Sequence, residues 1–263
     1  MVRWYDQGFT FSDDPEFAFG LRQGHGGPCG VLAAVMAELI KYVLFLRPNA
    51  DASSSNSSSS STSSSSSSSR RVRMPSLTQT EVRDAFVHAC VAILTRASQA
   101  SGSGVIVLVD CPGKALQLLS PASDLVVHHF NDPEEVARCI RDDLDCYSAR
   151  YGCVLFVLAL VLTRDVDAVR SDMDVDSASS TLIGQFGHCT QELMNLLLTG
   201  YATSNVVDGQ VSVSSGSSSG GDGSSSDTLV VKGVSKRSSV GYLSFLEVRD
   251  ACYGTSPMYA PFN

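Results

Sequence analysis

Cys29 is the residue best placed to do chemistry in this sequence, because it stands where a glycine-rich loop meets a long apolar segment. The loop reads Gln23-Gly-His-Gly-Gly-Pro-Cys29-Gly30. Glycines let such a loop turn tightly and approach a ligand, and Pro28 suits a helix start, where its missing N–H costs nothing. Cys29 is therefore expected in the first helical turn, where free N–H groups and the positive end of the helix dipole favour thiolate over thiol.

The same free N–H groups suit a second task, which is to hold a developing oxyanion. The Gln23 amide, six residues before Cys29, is a further candidate donor. Loop, thiol and helix together describe a cysteine nucleophile of the papain type. The residues alone leave another interpretation open, because most cysteines at helix starts are small buried hydrophobes and Gly-Gly-Pro is common in turns.

A helix over residues 31–46 must position the thiol. Ala, Leu, Met, Glu and Lys dominate this segment, and no Gly or Pro interrupts it. It is apolar almost all round and should lie inside the fold, with Glu38 and Lys41 paired where it reaches the surface. Sixteen residues with two central charges are too few for a membrane span, and Pro48 is expected to end the helix.

The histidines have plain structural interpretations when judged by their positions. His25, in the loop, is expected to tune the thiolate through proximity when protonated. His88 falls on the apolar side of a predicted helix and is interpreted as a satisfied core histidine. His128 and His129 end a predicted strand and face opposite sides of it, so they cannot both serve one site.

Three ordered stretches resemble the MINDY family of cysteine deubiquitinases, in the branch with a Gly-Gly-Pro-Cys-Gly-Val-Leu-Ala-Ala-Val motif. The first is the run from Gln23 to Val35. The second is Phe186-Gly-His-Cys-Thr-Gln-Glu-Leu-Met-Asn-Leu-Leu-Leu-Thr-Gly200, followed by Ser204-Asn-Val206. The third is Val240-Gly-Tyr-Leu-Ser-Phe-Leu-Glu247, with Cys252 five residues on.

The resemblance implies a function. It assigns Cys29 as nucleophile and Gln23 as oxyanion donor, in an enzyme that binds ubiquitin and polyubiquitin and hydrolyses isopeptide bonds, preferring lysine-48-linked chains. It places the general base on a histidine in a strand that should follow soon after Glu247 and Cys252. No histidine follows His188 in this sequence.

Three explanations compete for that departure, and the first is favoured. In the first, the sequence is a fragment of an active enzyme. In the second, it is a pseudoenzyme that binds ubiquitin without cutting it. In the third, another histidine serves as the general base, His188 being the best placed. A papain-like acyl transferase or peptidase of other specificity is a more distant rival. Failure to bind ubiquitin would favour that rival.

Composition excludes other classes of function. A net charge of −8 and a pI near 5.0 argue against a nucleic-acid partner. Eight cysteines without a signal peptide indicate free thiols in a reducing compartment, the cytoplasm or the nucleus. No Cys-x-x-Cys pair occurs, so no metal site and no cofactor is expected. Cys139, Cys146 and Cys153 repeat every seven residues, which predicts the buried stripe of one helix.

The remaining patterns predict an α/β fold, of the α+β kind, with a papain-like division between a helical part that carries Cys29 and a small sheet for the base. Residues 1–263 are interpreted as one catalytic domain, C-terminally incomplete, with disordered serine-rich insertions at 51–72 and 209–227. The aromatic residues of 1–22 are expected to pack. The other predicted elements are helices at 78–97 (with a Thr78–Glu81 capping box), 133–147 (with Asp132 as N-cap), 152–169 and 190–200, strands at 104–110 and 125–130, and a strand, turn and helix over 229–247.

Overall fold

The computed structural model describes residues 2–14, 17–47, 76–110, 125–174, 181–214 and 228–241, and in these it is an α+β protein, as predicted. The helices are α1 (Val2–Tyr5), α2 (Cys29–Lys41), α3 (Gln79–Ser101), α4 (Pro133–Asp142), α5 (Leu144–Ser148), α6 (Gly152–Arg164), α7 (Val166–Asp172) and α8 (Gln191–Thr199), with a π-helical turn, Tyr42–Leu46, directly after α2. The strands are β1 (Thr10–Phe11), β2 (Leu21–Arg22), β3 (Ile106–Asp110), β4 (Val126–Phe130), β5 (Gln210–Ser214) and β6 (Thr228–Lys232).

Helix α3 occupies the centre and contacts α2, α4, α6 and α8. Its start confirms the predicted capping box: Thr78 Oγ1 accepts the Glu81 N–H at 3.3 Å, and the Glu81 carboxylate accepts the Thr78 N–H at 2.8 Å. Its apolar face is fully buried because helices surround it. That face consists of Val82, Ala85, Phe86, Ala89, Cys90, Ile93, Leu94 and Ala97.

Helix α2 is a core helix, as its apolar composition predicted. Val31, Val35 and Leu39 are wholly buried, and the helix packs against α3 and α8. Within the ranges described, Cys29–Leu46 is the one helical stretch long and apolar enough to cross a membrane by length and composition alone. A buried core helix meets the same criterion.

The strands form three separate two-stranded antiparallel sheets in the described part of the chain. Strand β3 pairs with β4, in the register Ile106 with Phe130, and β3 also packs on α6. The Val107 N–H donates to the Thr163 hydroxyl of α6 at 2.9 Å. The neighbouring β4 is the exposed member of the pair.

The predicted cysteine stripe is wrong, because the three cysteines lie on three different helices. Cys139 is exposed on α4, Cys146 is half-buried on α5, and Cys153 is buried on α6. The segment predicted as one helix over 133–147 breaks at Asp143, and Tyr151, at a φ of 72°, separates α5 from α6. The predicted Asp132 cap holds, since its carboxylate accepts the Glu134 N–H at 2.9 Å.

A second predicted helix, over 152–169, is also interrupted. Asp165 takes a φ of 83°, ends α6 and caps α7 by accepting the N–H groups of Asp167 and Ala168, both at 3.0 Å. A single turning residue that also supplies a cap leaves no signal in the apolar pattern.

Helix α8 begins after Thr190 and ends at Gly200, whose φ is 85°, as predicted. The stretch 209–227, predicted to be flexible, begins with β5, which pairs with β6 through alternating Val and Ser residues, so that prediction does not apply to Gln210–Ser214. The strand expected at the start of 229–247 is β6, and 233–241 contain no helix. The predicted insertion at 51–72, the rest of 209–227, Pro48 and residues 242–247 lie outside the described residues.

Candidate functional site

Cys29 is the first residue of α2 and its side chain is exposed. The N-cap residue, Pro28, offers no side-chain acceptor to the N–H groups of the first turn. The thiol donates to the Gly27 carbonyl, with 3.7 Å between Sγ and the oxygen. An exposed thiol at the uncapped start of a buried helix is the arrangement predicted from the loop sequence.

The loop before Cys29 is fixed at its base by Gln7, which is buried. Its Nε2 donates to the Arg22 carbonyl at 3.0 Å, and its Oε1 accepts the Gly24 N–H at 2.9 Å. The Gln7 side chain thus bonds the backbone of the loop twice, once as a donor and once as an acceptor.

The other end of the loop packs against Trp4. Its indole N–H donates to the Gly187 carbonyl at 2.6 Å. Gly27 lies against this bond with a φ of 147°, and a Cβ there would come within 3.1 Å of the Gly187 oxygen and 3.3 Å of the indole nitrogen. Only glycine adopts this backbone conformation without strain and fits this space. Gly27 is thus the point at which the loop contacts the segment before α8.

That segment brings a second sulfur to the site. Cys189, one residue before the N-cap of α8, donates its thiol to the same Gly27 carbonyl at 3.6 Å. Burial raises the pKa of the Cys189 thiol, and the N–H groups of Val31 and Gly30, directed at its sulfur, oppose that rise. The start of α2 is therefore shared by two thiols.

Gln23 lies in the loop, and its amide is exposed. Its Nε2 donates to the His25 carbonyl at 2.7 Å. This bond uses one of the two N–H donors of the Gln23 amide.

All five histidines fall within the described ranges, and none has a hydrogen bond to Cys29 Sγ. The His188 ring packs over Gly184, where a Cβ would come within 2.5 Å of Nε2. His25, His128 and His129 are exposed.

His88 departs from its prediction as a satisfied core histidine. It is half-buried and stacks on Tyr42 with ring centroids 4.2 Å apart, but its buried Nδ1 has no hydrogen-bond partner.

Two further features lie away from Cys29. Among the described residues, one group of possible metal ligands comes together, Asp110, Asp143 and Cys146, with ligand atoms within 4.8 Å of one another. A cavity of about 450 Å³ is lined by Lys41, His88 and Arg96 at the far end of α2.

Comparison with known proteins decides the family. The conserved-domain model of the deubiquitinating enzymes MINDY-3/4 matches residues 2–261. The chain belongs to the MINDY-3/4 family. The resemblance seen in the three sequence blocks is thereby confirmed.

Relatives of this MINDY-3/4 domain carry names that state an activity. The chain is 33% identical to the "Probable ubiquitin carboxyl-terminal hydrolase MINDY-4" of Bos taurus and 32% identical to that of Homo sapiens, over 95% of this chain and 30% of each relative. It is 27% identical to the human "Ubiquitin carboxyl-terminal hydrolase MINDY-3", over 98% of this chain and 56% of that protein. The chain thus spans about a third to about half of the length of these relatives. No solved structure matches it.

Sequence reasoning missed three residues that shape the site of this MINDY-3/4 domain. Trp4 and Gln7 hold the loop, and Cys189 stands beside Cys29. Trp4 offered one signal, since it is the single tryptophan of the chain, and Cys189 offered another, since it lies inside the second family-like block. Gln7 carried no signal.

Proposed function

We propose that this chain is the catalytic part of a thiol-dependent deubiquitinase, with Cys29 as the nucleophile. The observation that carries the proposal is the exposed Cys29 thiol at the start of α2, after a loop that Gln7 bonds at its base and that packs against Trp4 at Gly27. The names of the MINDY-3 and MINDY-4 relatives supply the substrate class, an isopeptide or peptide bond at the carboxyl terminus of ubiquitin.

In the proposed reaction, the Cys29 thiolate attacks the carbonyl carbon of the scissile bond. The negative charge that develops on the carbonyl oxygen is stabilised by the positive end of the α2 dipole and by the Cys29 N–H. The Gln23 amide, which carries a second N–H besides the one bonded to His25, is the proposed additional donor. A base accepts the thiol proton and returns it to the leaving lysine amine.

The proposed substrate is polyubiquitin, with a preference for lysine-48-linked chains taken from the family resemblance. A panel of diubiquitins of each linkage tests this point. Cleavage of all linkages at equal rates would contradict the preference and leave the nucleophile in place.

A second function is a ubiquitin-binding protein that does not cleave. Two observations favour it: none of the five histidines bonds Cys29, and the Gln23 amide is engaged within its own loop. A thiol without a base keeps a binding surface but loses turnover.

The deciding experiment is labelling by ubiquitin that carries a C-terminal electrophile. Native chain, Cys29→Ala and Cys139→Ala are compared, Cys139 being a matched exposed thiol on another helix. We expect labelling of the native chain and of Cys139→Ala, and none of Cys29→Ala. Labelling of all three to the same extent would refute Cys29 as the nucleophile.

Two additions separate the candidate functions. The assay is repeated on a longer form that continues past Asn263, and on the native chain with added imidazole as a diffusible base. Labelling or diubiquitin cleavage that appears only in these two assays would mean that the 263-residue chain lacks the general base of the reaction. Tight ubiquitin binding without labelling in any arm supports the non-cleaving protein.

The role of Gln23 has its own test. Gln23→Ala is expected to lower diubiquitin cleavage by about 10²–10³-fold, the cost of removing one oxyanion donor. Alkylation of Cys29 by iodoacetamide creates no oxyanion and should keep its rate. An equal loss in both reactions would mean that Gln23 only shapes the loop.

A further inference from the structure

Cys29 and Cys189 share one hydrogen-bond acceptor although 160 residues separate them in sequence. Their sulfurs lie 3.7 Å and 3.6 Å from the Gly27 carbonyl oxygen. Gly30 leaves room for this approach, because a Cβ there would come within 3.0 Å of both the Cβ and the sulfur of Cys189. The two thiols can therefore lie close together because residue 30 has no side chain.

These two thiols differ from the cysteines deeper in the core. Behind Cys189, burial raises the pKa of the Cys153 thiol, and burial raises the pKa of Cys90 in turn. Both thiols are buried in the core, where they stay protonated and unreactive. Cys29 is open to solvent and Cys189, directly behind it, faces the N–H groups of Gly30 and Val31.

We propose that Cys189 is a resolving thiol, and that hydrogen peroxide converts Cys29 and Cys189 into a reversible disulfide that switches the site off. The proposal rests on the proposed function only in that Cys29 is the reactive thiol of the pair.

The chemistry needs two steps and one oxidant. The Cys29 thiolate attacks one oxygen of the peroxide, the O–O bond breaks, and hydroxide leaves to become water, which gives a sulfenic acid. The Cys189 sulfur then attacks the Cys29 sulfur, the S–S bond forms, the S–O bond breaks, and the departing hydroxide takes the Cys189 proton as water. Two thiols lose two electrons in all, and one peroxide becomes two waters.

The geometry favours this outcome over further oxidation. A sulfenic acid with no thiol nearby is open to irreversible oxidation to the sulfinic and sulfonic acids. Cys29 begins one helix and Cys189 precedes another, so neither sulfur is carried by a helix interior.

The test begins with the native chain. It is exposed to hydrogen peroxide, its remaining thiols are blocked with N-ethylmaleimide, and the digest is searched by mass spectrometry for peptides joined by a disulfide. We expect the Cys29–Cys189 pair. A disulfide from Cys29 to any other cysteine, or none at all, would overturn the proposal, and this readout does not depend on ubiquitin.

The second arm measures reversibility by labelling with the ubiquitin electrophile. After peroxide and then dithiothreitol, the native chain should regain its starting labelling, whereas Cys189→Ala should stay at its oxidised level. Cys139→Ala, with an exposed thiol removed elsewhere, should recover like the native chain. Equal recovery of Cys189→Ala would contradict the proposal, and labelling of that variant before oxidation reports that it is folded.

The two proposals fail separately. If the reduced native chain is not labelled but the Cys29–Cys189 peptide forms, the deubiquitinase proposal fails and the thiol pair stands. If labelling is strong but peroxide only produces the sulfinic acid at Cys29, the thiol pair fails and the nucleophile stands.

Discussion

The two ends of helix α2 differ in how their polar groups are used. At its start, Cys29 is exposed, the N-cap residue offers no side-chain acceptor, and two sulfurs share one carbonyl. At its end, Glu38 is buried and its carboxylate accepts from Lys41 at 2.7 Å and from Arg96 of α3. Arg96 also donates to the Leu197 carbonyl of α8 at 2.7 Å, so three helices meet there.

The contrast shows that the exposed thiol and the buried ion pairs lie at opposite ends of one helix. The Cys29 thiol at the start is open to solvent, while the charged groups at the end are paired with one another. Variants at the end should therefore change stability, and variants at the start should change labelling.

The largest effect is expected from Glu38→Ala. It leaves Arg96 and Lys41 without their shared carboxylate in a partly buried place, which should lower the free energy of unfolding by about 3–5 kcal/mol. Chemical denaturation measures the loss. The control is Glu135→Ala, whose ion pair with Arg138 at 3.5 Å is exposed and worth about 0–1 kcal/mol. Equal losses in the two variants would contradict the central role of Glu38.

Gly30→Ala should affect both properties, since it lies at the start of the helix and also in the packed contact with α8. The new methyl group meets Met194 and Cys189. Met194 is flexible, so we expect a loss of about 1–3 kcal/mol in unfolding free energy, the usual cost of overpacking. Thiol mapping of the same variant after peroxide should show less Cys29–Cys189 disulfide, and an unchanged yield would mean that the contact does not govern the pair.

Phe186→Ser should change labelling alone. Its ring is 80% exposed on the segment that carries the Gly187 carbonyl, and under the proposed function we expect it to contact ubiquitin. Loss of an interfacial aromatic typically costs about 1–2 kcal/mol, or about 5–30-fold in labelling at low probe concentration. Phe45→Ser, at the other end of α2 and 70% exposed, is the matched control and should label normally.

The smallest effect concerns pH. Burial lowers the pKa of His88, so the folded chain holds it neutral where the unfolded chain binds a proton. Stability from this group is present above the unfolded pKa of about 6.5 and declines as the pH falls from there towards the folded pKa. His88→Phe, which keeps a ring on Tyr42, should flatten the decline in thermal melts below neutral pH, and an unchanged slope would assign the decline elsewhere.

Local signals in the sequence predicted the local structure well. The Thr78–Glu81 box, the Asp132 cap, the Gly200 stop and the place of Cys29 at a helix start all depend on neighbours within a few residues, and all are found. Asp165 was missed because its positive φ is rare for a residue other than glycine.

The contacts that complete the site were not predictable in the same way. Trp4 with Gly187, and Cys29 with Cys189, join parts of the chain that only tertiary packing brings together. The Gln23–His25 bond is local but competes with a functional orientation, and sequence cannot rank two orientations of one amide. The breaks at Asp143 and Asp165 fall in patterns that are equally compatible with longer helices, whereas the break between α5 and α6 was predicted.

The Trp4–Gly187 bond joins residues 183 positions apart. Contacts of such large sequence separation require closure of a long loop, whereas helices form from neighbours in sequence. We therefore expect a refolding chain to recover its helical circular dichroism no later than the packing of its Cys29 loop. That packing requires the first residues of the chain and the segment before α8 to meet.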